Sequence, residues 1–155
     1  DILKKRIIIA LGGKAAESIF YGDDFVSVGA SNDLMQANNL AKRMIGNYGM
    51  GDSLKTYYNS DSEGKNPFLG RTLAIPNAEL SDKTKELFDK EVRDLVDECY
   101  KEAIRILQIN KNKVNVLANI LFHLEIMDGD IFTEYLSLKP EDQTLIENEF
   151  LKEKE

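Results

Sequence analysis

Residues 81–109 read SDKTKELFDKEVRDLVDECYKEAIRILQI. Apolar side chains recur there at Leu87, Phe88, Val92, Leu95, Val96, Cys99, Tyr100, Ala103, Ile104 and Leu107. The steps between them are one, three and four residues, which a period near 3.6 reproduces and a strand's period of two does not. Ser81 supplies a hydroxyl where a helix would open, and no Gly or Pro interrupts the run. At 1.5 Å per residue such a helix extends roughly 40 Å, long enough to be the spine of a domain.

The helical period continues on both sides of this spine. Towards the C-terminus, Val114, Leu117, Ala118, Leu121 and Leu124 predict a helix over about Lys111 to Ile126. Asp128 is placed to cap a short helix over Gly129 to Leu136, and Pro140 opens a last, mostly acidic one. Towards the N-terminus, a helix is expected from about Ile2 to Phe20, stopped at Tyr21-Gly22. Ser31 is expected to cap a helix of about Asn32 to Tyr48, with the stripe Leu34, Ala37, Leu40, Ala41, Met44, Ile45 and Tyr48, closed by Gly49 and Gly51. From Asp52 to Leu80 the period breaks at Gly64, Pro67, Gly70 and Pro76; Phe68-Leu69 and Thr72 to Ile75 are candidate short strands. The fold class is mainly α, a helical bundle with one long irregular loop.

A chain of 155 residues with 43% hydrophobic content is the size and composition of one folded core. The net charge of −7 is concentrated at the end, where six acids between Glu141 and Glu155 outweigh Lys152 and Lys154. With no basic stripe, nucleic acid is excluded as a partner. A lone cysteine, Cys99, forms no internal disulfide and fits a reducing compartment. The apolar run Ile7-Ile8-Ile9-Ala10-Leu11 is too short to span a membrane and is followed by no small-residue cleavage site, so it is not read as a signal peptide. Helical pattern from the first residues, beginning at Asp1, suggests a piece of something longer.

Two carboxylates stand on apolar helix faces. Asp33 shares its face with Ala37, Leu40, Ala41 and Met44, and Glu17 neighbours Ile9, Ala10, Gly13, Phe20 and Tyr21. An ionised carboxylate in such surroundings needs a counter-charge, hydrogen bonds or a metal. For Asp33 the plain alternative is an acid complementing the dipole of its helix start. For Glu17 it is a structural salt bridge. Gly12-Gly13-Lys14 is not a phosphate loop, because Ile8 and Ala15 occupy the positions that need Gly and Ser or Thr. The two glycines are read instead as allowing close helix packing. His123, the sole histidine, lacks a partner one turn away and reads as a packing or surface residue; Cys99, inside the long stripe, reads as core.

Several segments together resemble the peptidase domain of FtsH-type ATP-dependent zinc metalloproteases. They are Leu11-Gly12-Gly13-Lys14-Ala15-Ala16-Glu17 with Tyr21-Gly22; Gly29-Ala30-Ser31-Asn32-Asp33-Leu34 continuing to Ala41-Lys42-Arg43-Met44 and Tyr48-Gly49-Met50; and Phe68-Leu69-Gly70-Arg71. Asp89, Glu91, Val92, Tyr100 and Ala103 of the long helix, and Glu125 to Gly129, fit as well. The resemblance implies that residues 1–137 are the helical part of the peptidase domain, without its H-E-x-x-H helix, and that 138–155 are an acidic C-terminal helix or tail. It implies that Asp33 is the third zinc ligand beside two upstream histidines, leaving a coordination position for water, with the general base also upstream. Glu17 matches a glutamate beside the site, a partner that orients a ligand histidine. ATP is expected on an upstream module, and subunits in homo- or hetero-hexamers acting on unfolded protein substrates. Upstream segments would anchor the protein in a membrane, with this domain on the cytoplasmic, stromal or matrix side. The isolated chain is expected to be inactive. Val28 stands where the family prefers Thr, and Lys55-Thr56 where it has Gly-Pro. The alternative is a non-catalytic FtsH-like scaffold that has lost the metal motif; an unrelated acidic helical adaptor is a third reading.

Overall fold

The computed structural model describes residues 2–22, 27–55 and 81–138. The candidate strands, the Phe68–Arg71 motif and the helix expected from Pro140 lie outside these. All regular structure among the described residues is helical: α1 (Ile2–Tyr21), a single 3-10 turn (Val28–Ala30), α2 (Ser31–Gly46), α3 (Asp82–Ile109), α4 (Lys111–Leu124) and α5 (Gly129–Ser137). They fall into two compact units, Asp1–Ile106 and Leu107–Glu155.

In the first unit α1 packs along α2, and small side chains make that approach possible. Ile7, Leu11 and Ala15 of α1, and Ala37, Ala41, Met44 and Ile45 of α2, are buried. The expectation for Gly12 and Gly13 is corrected. A Cβ at Gly12 would meet nothing, and one at Gly13 would make an ordinary contact with the Asp33 carboxylate, so the close approach belongs to the alanines.

The α3 stripe is buried as the period predicts. Val92, Leu95, Cys99 and Ala103 form its core line, and the remaining members are half-buried beside it. Lys4 of α1 pairs with Glu98 at 3.0 Å, and the Cys99 thiol lies 3.9 Å from the Lys4 carbonyl oxygen that it approaches as a weak donor. Burial, reinforced by the Glu98 charge, pushes that thiol's pKa up, as suits an inert core cysteine.

α2 ends at Gly46 rather than Tyr48, which leaves Tyr48 outside the helix and exposed. Gly49 then turns the chain at φ 60°, where a Cβ would run into the Lys55 carbonyl oxygen. Glu91 of α3 holds the following loop by accepting a hydrogen bond from the Ser53 backbone N–H at 2.7 Å. Its other oxygen lies against Gly51, where any Cβ would collide with it.

In the second unit α4 ends at Leu124, two residues earlier than expected. Glu125 follows with φ 59°, donating its N–H to the Leu121 carbonyl oxygen. Asp128 occupies the cap position of α5, yet its side chain makes no cap hydrogen bond. Ile120 of α4 is buried, and Val114, Leu117, Ala118 and Leu121, whose spacing predicted the helix, line an open apolar groove of about 540 Å³ with Met127 and Phe132. His123 is exposed and stacks edge-on against Phe122. No helix among the described residues is long and apolar enough to cross a membrane.

Candidate functional site

Asp33 lies in the first turn of α2 and is half-buried. Its Oδ2 faces Gly13 of α1, 3.9 Å from where a Cβ would stand. Among the described residues it makes no hydrogen bond or ion pair. It borders a groove of about 660 Å³ lined from α1 by Arg6, Ile9 and Ala10, and from α2 by Gln36, Asn39, Leu40 and Arg43. Arg6 and Arg43 line this groove without an ion pair to Asp33.

Glu17 is one turn beyond Gly13 on α1, so the helix brings both acids to one corner of the unit. Its partner is not a cation. Ser27 donates its hydroxyl to Oε1 at 2.6 Å and its backbone N–H to Oε2 at 2.9 Å. The hydroxyl bond first, then the backbone bond, hold the Glu17 carboxyl below the ordinary glutamate pKa, against partial desolvation.

A lowered folded-state pKa means the link contributes stability above the unfolded value and loses it as pH falls through the folded one. Glu17→Gln is therefore expected to flatten the stability-against-pH curve on the acid side of the ordinary glutamate range and leave the neutral limb parallel. Urea midpoints from pH 3 to 7 check this, and an unchanged acid limb would show that the link adds nothing.

The cap of this entry is also not where the sequence placed it. Ser31 lies inside α2, and the helix has no side-chain cap at Ala30; the capping hydroxyl belongs to Ser27, which accepts from the Gly29 N–H at 3.2 Å. Ser27 was missed because its partner is ten residues away. The available signal was a Ser two residues before Gly29, the pattern of a hydroxyl-capped turn.

The donor set bears directly on a zinc ion. Asp33 offers an unpaired carboxylate with open space beside it, and no three His, Cys, Asp or Glu converge among the described residues. One carboxylate by itself is fewer protein ligands than the three a catalytic zinc site takes.

The model of peptidase family M41 matches residues 1–135. The chain belongs to peptidase family M41. It is similar to the ATP-dependent zinc metalloprotease FtsH of Trieres chinensis, 38% identical over 135 residues, which cover 87% of this chain and 21% of that protein. It is 35% identical over 136 residues to the ATP-dependent zinc metalloprotease FTSH 1, chloroplastic, of Arabidopsis thaliana, covering 88% of this chain and 18% of the relative. With FtsH of Bacillus subtilis (strain 168) it shares 35% over 128 residues, 83% of this chain and 20% of the relative. This M41 chain thus spans about a fifth of the length of the relatives it matches. The matched region includes both acids of the α1–α2 corner.

Proposed function

We propose that this chain is the helical part of the peptidase domain of an ATP-dependent zinc metalloendopeptidase, and that Asp33 is its metal ligand. The observation that carries the reading is the Asp33 carboxylate: half-buried, without a partner among the described residues, and open to a groove. In this reading residues 1–137 belong to the peptidase domain and 138–155 form an acidic extension. Two histidines and the general base come from an H-E-x-x-H segment outside this sequence. When bound, zinc supplies Lewis-acid polarisation of the scissile carbonyl and activation of water. Asp33 holds the ion with an oxygen donor, and Glu17 orients a ligand histidine. Arg6 and Arg43 line the same groove as Asp33.

The wider assignment rests on the relatives' names and the family resemblance. It comprises ATP bound by an upstream module, a hexamer of like subunits, membrane and soluble protein substrates, and a membrane anchor that leaves this domain on the cytoplasmic, stromal or matrix side.

The 155-residue chain alone is expected to bind zinc weakly and to cleave no casein, since it offers one ligand where a catalytic site takes three. The full-length protein is expected to hold one zinc per subunit and to be active. Calorimetric titration with zinc and a casein assay on both check this. Tight stoichiometric zinc in the isolated chain would sink the shared-site reading, and a full-length protein devoid of zinc would favour the scaffold.

A further inference from the structure

We propose that Ser27 is a positioning residue for the Asp33 carboxylate, acting through the side chain of Glu17. The proposal rests on the reading of Asp33 as a zinc ligand. Ser27 has extended backbone, φ −80° and ψ 162°, which aims its N–H and its hydroxyl at the same carboxylate. At 2.6 Å the hydroxyl bond has the length of a charge-assisted O–H···O⁻ contact. The same oxygen accepts from the Gly29 N–H, so one atom both grips α1 and caps the 3-10 turn.

That turn runs directly into α2. Ser31 donates its N–H to the Val28 carbonyl oxygen, Ala30 is buried beneath, and Asp33 follows within the first turn of the helix. α2 has no side-chain cap of its own at Ala30, so the Ser27–Glu17 link is the side-chain anchor of its entry among the described residues. Gly29 keeps this anchor tight, because a Cβ there would approach the Ser27 hydroxyl to 3.1 Å. A metal ligand tolerates displacement of only about 0.5 Å, so an anchor six residues upstream on continuous backbone bears on metal affinity. Besides orienting a ligand histidine, Glu17 thereby also acts on the site by locating Asp33.

The test uses the full-length protein with Ser27→Ala, Ser27→Thr, Glu17→Gln and the double variant Ser27→Ala/Glu17→Gln. Zinc affinity is read by competition with a chromophoric chelator. Hydrogen exchange is followed in peptides covering residues 28–34, alongside global melting. Ser27→Ala is expected to weaken zinc about 10-fold and to speed exchange at Gly29–Leu34, with Ser27→Thr restoring both. The double variant is expected to be no weaker than Glu17→Gln alone.

Unchanged exchange at 28–34 in Ser27→Ala overturns the proposal. So does faster exchange with unchanged zinc affinity, which assigns Ser27 a merely structural part. Losses that add in the double variant overturn the route through Glu17. A wild-type protein without zinc sinks the zinc reading by itself, and exchange then decides whether Ser27 holds the turn that carries Asp33.

Discussion

Asp33→Asn in the full-length protein is expected to remove zinc and proteolysis together while the fold and the ATPase persist. Asn keeps the size and helix-start preference of Asp and loses only the anionic donor. The substitution is unusually clean here, because Asp33 gives up no hydrogen bond or ion pair to any described residue. If the carboxylate only complemented the dipole of α2, its loss would cost about 0.3–1 kcal/mol of stability and leave the metal in place. As a direct ligand, its loss should exceed the roughly 10–100-fold weakening typical of residues that only orient a ligand, the range expected for Glu17→Gln. Elemental analysis alongside thermal melts separates the accounts. A fully zinc-loaded, active Asp33→Asn enzyme would remove Asp33 from the site.

The two acids of this corner were visible in the sequence for different reasons. Asp33 and Glu17 stood out because carboxylates on apolar faces need a partner, and residue pattern alone left their partners open. The structure leaves Asp33 unpaired among the described residues and gives Glu17 the serine at position 27. A pairing across ten residues of loop depends on how the chain returns after α1, which helical periodicity does not encode. Ser31 looked like the cap because it precedes the apolar stripe. A 3-10 turn at Val28–Ala30 extends the helical path backwards and moves the cap to Ser27.

Periodicity succeeded where the apolar face was narrow and flanked by charge. In α3, Asp89, Arg93, Asp94, Asp97 and Lys101 are exposed around the stripe, so only one face could be buried. In α4 the period located the helix without fixing one buried face. Val116, Ile120 and Phe122 widen the apolar surface until several faces compete, and Ile120 is buried while Phe122 is exposed. Tyr48 was included in the α2 stripe by spacing, but the helix had already ended at Gly46.

Within the run Ile7 to Leu11 the period makes a sharper distinction. Leu11→Ala is expected to destabilise the chain by about 2–5 kcal/mol, whereas Ile9→Ala stays within about 0.5 kcal/mol. Leu11 is 1% exposed and stacks one turn above the fully buried Ile7, in the face that α1 turns towards α2. Truncating it removes the transfer energy of the lost carbons and leaves a cavity that the neighbouring alanines cannot fill. Ile9 is 76% exposed, and alanine's higher helix propensity offsets what little packing it loses. Urea midpoints at constant slope measure both. Equal losses would refute the assigned faces of α1. Ile9 also lines the groove beside Asp33, so repeating the pair in the full-length protein adds a second comparison. If the metal-binding segment packs over that groove, Ile9→Ala costs stability there and not in the isolated chain. A cost near zero in both would place that segment elsewhere.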